Sequence, residues 1–375
     1  MKILFIITRA DTIGGAQVHV RDLAQFLVKQ NHQVLVVTGV KGIYNEALNR
    51  AGIKSIACDH LANQADIFRD WQALSFMVKL ICDWQPDLVS THSSKAGIFG
   101  RLACKIASTP CLFTAHGWAF TEGVPQPKRF IYKTIEKLSE SLADKIICVS
   151  EHDRNLAMQA GMNPQRVVTV HNGMPDIPSS LRSSQVDSKL VKVLMVARFD
   201  KQKDHPTLIK AFQGINGAEL HLVGDGAYLE DSKTLVKDLG IDKKVKFWGF
   251  KDNIAEIMAQ SDIFTLISHW EGLPRTIIEA MRAGLPIVAS AVGGVTELVI
   301  EQTTGYCIPR GNIDLLRDRL RRLINDHHLR QTMGNKARER YEQEFTFNHM
   351  LQQTTQIYHE VLHQKNNYKK IKMQN

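Results

Sequence analysis

The chain has 375 residues, 44% hydrophobic and 23% charged, which describes an ordinary globular protein long enough for two domains. Its formal charge of +9 suggests nucleic acid, but Lys365, Lys369, Lys370 and Lys372 supply four of those charges in the last eleven residues, and no basic stripe interleaved with aromatics or nucleic-acid motif appears, so no nucleic-acid partner is expected. The longest apolar runs, such as KILFII and KIICVS, fall far short of the ~18 residues of a membrane helix, and Arg9 and Asp11 follow the first run without a cleavage site, which excludes a signal peptide from the reading.

In chain order, KILFIIT (residues 2–8) reads as a buried strand. The loop TRADTIGGAQ then sets Gly14 and Gly15 before the helical AQVHVRDLAQFLVKQ. Backbone amides there can approach an anion or a sugar, or the pair can be a plain turn. QVLVVTG, KSIAC, DLVSTH, CLFTAH, KIICVS and RVVTVHN continue as strands, separated by stretches of helical period such as IFRDWQALSFMVKLICDW. Such alternation predicts a parallel sheet covered by helices. Within PKRFIYKTIEKLSESLADK, Arg129, Lys133 and Lys137 share one helix face, and Ile131, Ile135, Leu138 and Leu142 share another. Two readings stay open: a basic helix resting on anionic lipid, or a surface helix with its apolar face in the core and its charge diluted by Glu136 and Glu140.

After His171 the segment NGMPDIPSSLRSSQVDSK has little to bury and reads as a linker. A second series begins with VKVLMVARF, ELHLVGD, KVKFWGF, DIFTLIS and PIVAS, and long helical segments run from about Leu315 to Leu362. The expected organisation is α/β: two Rossmann-like, doubly wound parallel-sheet domains, 1–176 and 191–345, joined by a linker at 177–190. A helix at 346–364 and a basic tail at 365–375 follow. Cysteines 58, 82, 104, 111, 148 and 307 show neither metal nor disulfide spacing, which fits a reducing cytoplasm.

In such sheets ligands meet the loops at the carboxyl ends of the strands. One of these, SHWEGLPRTIIEAMRAGLPIVAS, carries Glu271 just ahead of a helix and Glu279 more than a turn inside it; Pro274 suits the helix start and Gly284 its stop. Eight residues at the helical rise put the two backbones at most ~12 Å apart. That does not particularly suggest a glycosidase pair, whose carboxyls face one bond, and better suits holding two ends of a long ligand. Between the glutamates, free amides and the helix dipole form an anion site. Arg198 and Lys203, in VARFDKQKD, can bring cations to the same anion. A nucleotide diphosphate sugar has that shape: sugar hydroxyls, a diphosphate, ribose hydroxyls. Singly, Glu279 could merely pair with Arg275, and Arg198 and Lys203 could be solvated surface charges; the set in this order favours a donor site. No G-x-G-x-x-G opens either series, which weakens a nicotinamide cofactor. The absence of Asp-x-Asp removes the usual metal-holding carboxylates, so no metal and no cofactor is expected.

These motifs resemble the retaining glycosyltransferases of family 4, which have the two-domain GT-B fold with a central cleft. The similarity runs through GGAQVHV, TAHG, VSE, VHNG, VARFDKQKD, LVGDG, FWGF and EGLPRTIIEAMRAGLPIVASAVGGVTELV. The resemblance implies that Glu271 contacts hydroxyls of the transferred sugar and Glu279 the ribose. It makes Arg198 and Lys203 neutralise the leaving diphosphate, and sets Gly14 and Gly15 near the donor phosphates, with Gly272, Leu273 and Pro274 in the donor site. Residues near Phe250 would pack by the base, and the backbone at Gly293 and Gly294 near the helix of Glu279. His116, by position alone a structural histidine, would lie near the reaction centre, and the 346–364 helix would return to the first domain. Gln17 departs from the glutamate of many relatives, which touches the acceptor side.

The resemblance further implies retention, with a phosphate oxygen helping to take the acceptor proton. It implies a hexose or N-acetylhexosamine from a nucleotide diphosphate sugar, a UDP-sugar being expected. HSSKAGIFGRLA and TAHGWAF point to bacterial enzymes that extend surface polysaccharides such as capsule or lipopolysaccharide on a polyprenyl diphosphate carrier. The expected partners are thus donor, lipid-linked glycan acceptor and an anionic membrane surface, with the enzyme cytoplasmic or peripheral on the inner face. Competing readings are a GT-B transferase or synthase with a soluble acceptor, a sugar-nucleotide epimerase and a non-catalytic sugar-nucleotide-binding module.

Overall fold

A computed structural model describes residues 1–62, 66–183 and 190–374, with side chains of the last helix as far as residue 365. The chain forms two compact units, Met1–Asn172 with Met350–Asn375, and Gly173–His349.

The first unit is built on β1 (Lys2–Ile7), β2 (Gln33–Thr38), β3 (Lys54–Ala57), β4 (Leu88–His92), β5 (Cys111–Ala115), β6 (Lys145–Cys148) and β7 (Val167–Thr169). They lie in the order β3-β2-β1-β4-β5-β6-β7, and every neighbouring pair is parallel. β1 and β4 are covered on both faces, with Ile3 to Ile7 and Leu88 to His92 all buried; this is why β1 reads as an unbroken apolar run rather than an alternating one, whereas β4 buries Ser90, Thr91 and His92 after its two apolar residues. The second unit repeats the arrangement. β8 (Val191–Val196), β9 (Ala218–Val223), β10 (Val245–Gly249), β11 (Ile263–Leu266), β12 (Ile287–Ser290) and β13 (Gly305–Ile308) lie in the order β10-β9-β8-β11-β12-β13. The two doubly wound parallel sheets expected from the sequence are present. β13 was not among the expected strands: GYCI is four residues long and follows a turn without a β-branched run, so pattern alone gives it little weight.

Each sheet reverses its strand order at one place, between β1 and β4 and between β8 and β11. A crevice opens there because consecutive crossovers run to opposite sides. The last helix, Phe347–Gln374, belongs from Met350 onward to the first unit, where Tyr358 is fully buried. Among the described residues no helix is long and apolar enough to cross a membrane.

The expected linker is partly ordered against the second unit. Tyr341 donates its hydroxyl to the Met174 carbonyl at 2.9 Å, and Asp176 receives both Nη atoms of Arg338 at 2.6 Å. Residues 184–189 of that segment lie outside the described residues.

The helix Gln126–Ser139 departs from the reading that put its apolar face in the core. Its apolar residues do not enter the core: Phe130 is 71% and Leu138 73% exposed, and Ile131 and Ile135 are exposed too. Glu136 turns inward instead, accepting from Arg101 Nη2 at 2.7 Å, with both side chains buried. Glu140, just past the helix, is also buried. It accepts from the Asn163 amide at 2.6 Å and from Lys137 Nζ at 2.8 Å. The two acids that would have diluted the charge therefore face inward, and the outer surface combines apolar side chains with Lys128, Arg129 and Lys133.

Candidate active site

In the first unit the site grows from the loops that leave β1 and β4. Gly14 caps the helix Gly15–Lys29 with an ordinary φ of −113°. Its amide donates to Gln17 Oε1 at 3.1 Å, and Gln17 Nε2 donates to the Arg9 carbonyl at 3.2 Å. A carboxylate at position 17 could take the first bond but has no donor for the second, so Gln17 clasps the loop from both sides. Across the switch point Ser93 stands at φ +70°, a conformation that non-glycine residues adopt only when held there. Its hydroxyl shares a 2.9 Å bond with Thr8 Oγ1 and accepts from the Thr8 amide at 3.2 Å.

Three histidines meet at this point. His92 ends β4 and lies in register with Thr114 of β5; His116 stands two residues further along the chain, where a strand's period of two returns to the same face. The rings touch, His92 Nδ1 to His116 Nε2 at 3.0 Å, and His92 Nε2 meets Ser90 Oγ at 3.0 Å. His19 sets its ring edge-on to His116 with centroids 4.9 Å apart, and the three side chains offer nitrogens all within 4.8 Å of one another. His92 is completely buried. Burial first, and then the neighbouring His116, hold its pKa well below the ordinary histidine value, so it is neutral with a single N–H.

In the second unit the loops after β8 and β11 are laced together by the Asp204 amide on the Ile267 carbonyl at 2.9 Å and the His269 amide on the Gln202 carbonyl at 2.8 Å. This lacing sets Lys203 against Glu271, and the two form an ion pair. Glu271 is almost buried and also accepts from Ser268 Oγ at 2.6 Å and from Gln202 Nε2 at 3.0 Å. A buried carboxylate with this many donors is held in one orientation. Arg198, by contrast, is 60% exposed on the same loop and pairs with Asp200 at 3.1 Å.

Pro274 occupies the N-cap of the helix Arg275–Ala283 rather than its first turn, and Gly284 closes it in the left-handed region. Glu279 is thus its fifth residue, half-buried. Gly293 has φ +55°, and a Cβ there would overlap the Glu271 carbonyl, while the Gly294 amide donates to the Gly272 carbonyl at 2.8 Å. These glycines therefore brace the loop of Glu271, ahead of the helix that carries Glu279. Gly224 and Gly226 play a similar part, since a Cβ on either would collide with the Ala197 or Phe199 carbonyl. The Gly-x-Gly thus supports the Arg198 loop. Phe250, just beyond β10, is 67% exposed.

Two parallel doubly wound sheets, each with polar residues gathered at its switch point, are consistent with a GT-B fold. Comparison with known sequences agrees: the Glycosyltransferase Family 4 pattern matches residues 13–176 and the Glycosyl transferases group 1 pattern residues 176–340, so together they span most of the chain. The protein is a GT-B glycosyltransferase related to the bacterial surface-polysaccharide enzymes of these families. It is 28% identical over 284 residues to the UDP-Gal:alpha-D-GlcNAc-diphosphoundecaprenol alpha-1,3-galactosyltransferase of Escherichia coli, covering 71% of this chain and 73% of that one. To the O-antigen biosynthesis glycosyltransferase WbnH of Escherichia coli it is 29% identical over 296 residues, covering 79% and 82%. Among solved structures, Anabaena HepE in complex with UDP and glucose superposes with a TM-score of 0.84 over 96% of this chain and 100% of that one, at 24% identity; that likeness concerns the fold.

Of the residues singled out from the sequence, the structure brings Lys203 directly onto Glu271 and sets Gly14 and Gly15 at the head of the helix that carries His19, against His116. Arg198 and Phe250 stand exposed at their strand ends, and Glu279 is carried on the helix Arg275–Ala283 that follows the loop of Glu271. Sequence reasoning did not single out His19, His92, Gln202 or Ser268. Their signals were present in GGAQVHV, DLVSTH, DKQKD and SHWEG, but only strand register brings these side chains to the residues it named.

Proposed function

We propose that this enzyme transfers a hexose or N-acetylhexosamine from a UDP-sugar, with retention at the anomeric carbon, to a saccharide carried on polyprenyl diphosphate at the inner face of the membrane. In this reading the Gly173–His349 unit binds the donor and the first unit the acceptor. Glu271 receives the sugar hydroxyls, Glu279 the ribose, and Arg198 and Lys203 the diphosphate, with the amides of Gly272, Leu273, Pro274, Gly14 and Gly15 alongside and Phe250 by the base. His116 stands by the reaction centre.

The observation that carries the reading is the Lys203–Glu271 pair, held by Ser268 and Gln202 at the switch point. Preplaced charge of this kind stabilises a leaving diphosphate more as its bond to the sugar breaks than before. The C1–O bond to the diphosphate breaks, the acceptor oxygen bonds C1 on the same face, and its proton passes to a departing phosphate oxygen. The name of the relative that uses UDP-Gal and a diphosphoundecaprenol acceptor supports the donor base and the carrier. The outward apolar and basic surface of the Gln126–Ser139 helix supports work at an anionic lipid surface.

The test is incubation with UDP-hexoses and UDP-N-acetylhexosamines and either vesicle-borne polyprenyl-diphosphate saccharide or a soluble glycan. The expected result is an α-linked product on the lipid, formed roughly 100-fold or more slowly by Glu271→Gln. Transfer to the soluble acceptor alone, or inversion at C1, would reject the proposal.

A further inference from the structure

We propose that His19, His92 and His116 form a binding site for a divalent cation of the zinc class, and that filling it stops sugar transfer. The site follows from side chains of the first unit alone; only the block on transfer rests on the proposed place of His116 at the reaction centre.

The three imidazoles come from three elements: His19 from the helix Gly15–Lys29, His92 from the end of β4 and His116 from the loop after β5. Each offers one nitrogen, all within 4.8 Å of one another, and among the described residues no thiol or carboxylate joins the group. Imidazole nitrogens alone select borderline cations such as Zn2+, Co2+ and Cu2+ over Mg2+ and Ca2+, which take oxygen.

The ring positions suit one ion. Their centres form a nearly equilateral triangle with sides of 4.9, 5.3 and 5.7 Å. Three imidazoles on a tetrahedral ion, with bonds of about 2.0–2.1 Å, have their centres about 3.2 Å from it and so about 5.2 Å from one another. The rings therefore stand at the right separations and need to turn rather than travel. His92 Nδ1 and His116 Nε2, 3.0 Å apart, are too close for an ion on the line between them, which would need about 4 Å. Off that line, toward His19, a tetrahedral angle asks for about 3.3 Å, and the pair opens by a few tenths of an ångström as the rings tilt.

The proton shared by His92 and His116 is no obstacle, whichever ring carries it. With both rings neutral, the ring that yields it at one nitrogen carries it on the other, so no proton has to leave. On His92 that other nitrogen is Nε2, 3.0 Å from Ser90 Oγ, the kind of outer hydrogen bond that orients a metal-binding histidine. Three protein nitrogens leave a fourth position for water, and His116, the half-buried member of the three, gives the ion its way in. An ion bound there takes a nitrogen of His116 and locks its ring, which withdraws that side chain from the transferred sugar.

The experiment titrates the full chain, first treated with chelator, with Zn2+ in competition with a chromophoric chelator and with Co2+ by visible absorption. The variants are His19→Gln, His116→Gln, Ser90→Ala and Cys82→Ser. Wild type should bind one Zn2+ at this site, and Co2+ should give a four-coordinate spectrum without the charge-transfer band of a thiolate. Each histidine variant, with unchanged circular dichroism, should lose more affinity than the about 10- to 100-fold expected of Ser90→Ala, which removes only the outer partner. Cys82 is an exposed thiol, and Cys82→Ser should bind as wild type does. Transfer from a UDP-sugar should fall as the site fills, with the midpoint of binding, and return with chelator. His19→Gln, measured against its own zinc-free rate, should hold that rate at the same Zn2+ concentration. Equal affinity in wild type, His19→Gln and His116→Gln, or loss of binding in Cys82→Ser, would overturn the site; undiminished transfer with the site filled would overturn the block. Zinc held by the three histidines in a chain that turns over no sugar nucleotide would instead reject the transfer reading and leave the site standing.

Discussion

Glu136→Ala should lower the stability of the first unit by about 3–5 kcal/mol, the usual cost of leaving one partner of a buried ion pair alone. Arg101 is wholly buried beneath the Gln126–Ser139 helix, donating to Glu136 at 2.7 Å and to the Gly97 carbonyl at 2.8 Å, with its guanidinium 4.3 Å from the Phe113 ring centre. Removing Glu136 strands that cation. The pair is nonetheless no net asset over an apolar one: burial raises the Glu136 pKa by more than Arg101 lowers it, so the carboxylate's desolvation outweighs the attraction. Arg101→Met with Glu136→Leu should therefore be neutral or better. Differential scanning calorimetry of the full chain reads both, and 3–5 kcal/mol corresponds to a Tm drop of about 6–20 °C for a unit of this size. A Glu136→Ala transition within 2 °C of wild type, or a double variant worse than the single one, would refute this view of the helix anchor.

Other consequences reach the site, the membrane and acid stability. Gly293→Ala forces a Cβ onto the Glu271 carbonyl at φ +55°; kcat/KM should fall about 100-fold, as for a catalytic group displaced by about 1 Å, with near-normal circular dichroism. Phe130→Glu and Leu138→Glu should each weaken binding to vesicles containing phosphatidylglycerol by at least about tenfold, since burying one such side chain in lipid is worth about 1.5–3 kcal/mol; unchanged sedimentation would exclude the Gln126–Ser139 helix as the docking surface. His205, buried and stacked on Phe199 at 4.0 Å, has its pKa pushed down to about 4, chiefly by burial. Between the ordinary histidine value and about pH 4 the unfolded chain takes up a proton that the native state refuses. Its contribution to stability is thus whole above about pH 6.5 and lost as pH falls toward 4, by roughly 3 kcal/mol. His205→Leu should flatten urea-measured stability across that window relative to wild type; an identical slope would contradict it.

The sheets were legible because buried parallel strands are short runs of Val, Ile and Leu bounded by glycine and polar turns, as in KILFII and VKVLMV. The loop of Glu271 was legible because Pro274 and Gly284 punctuate its helix. The outward face of the Gln126–Ser139 helix was not. Periodicity locates an apolar face but does not say which way it points, and here the deciding fact is Arg101, 35 residues upstream of Glu136, which draws the acid inward. His92 escaped notice for a similar reason. As the last residue of a buried strand it looks structural, and its bond to His116 arises from the register of β4 against β5, which no local pattern encodes. Gly293 sits in an unremarkable Val-Gly-Gly-Val, and its need for glycine appears only once the Glu271 carbonyl is seen against it.

The most direct measurement is calorimetric titration of the protein with UDP, GDP and ADP, each with chelator present, on wild type and Glu279→Ala. One nucleotide, UDP, should bind, and Glu279→Ala should weaken it about 10- to 100-fold, the loss of a charge-assisted hydrogen bond of about 1.5–3 kcal/mol to the ribose. Binding of no nucleotide, or an affinity indifferent to Glu279→Ala, would contradict the assignment of EGLPRTIIE as the donor clamp.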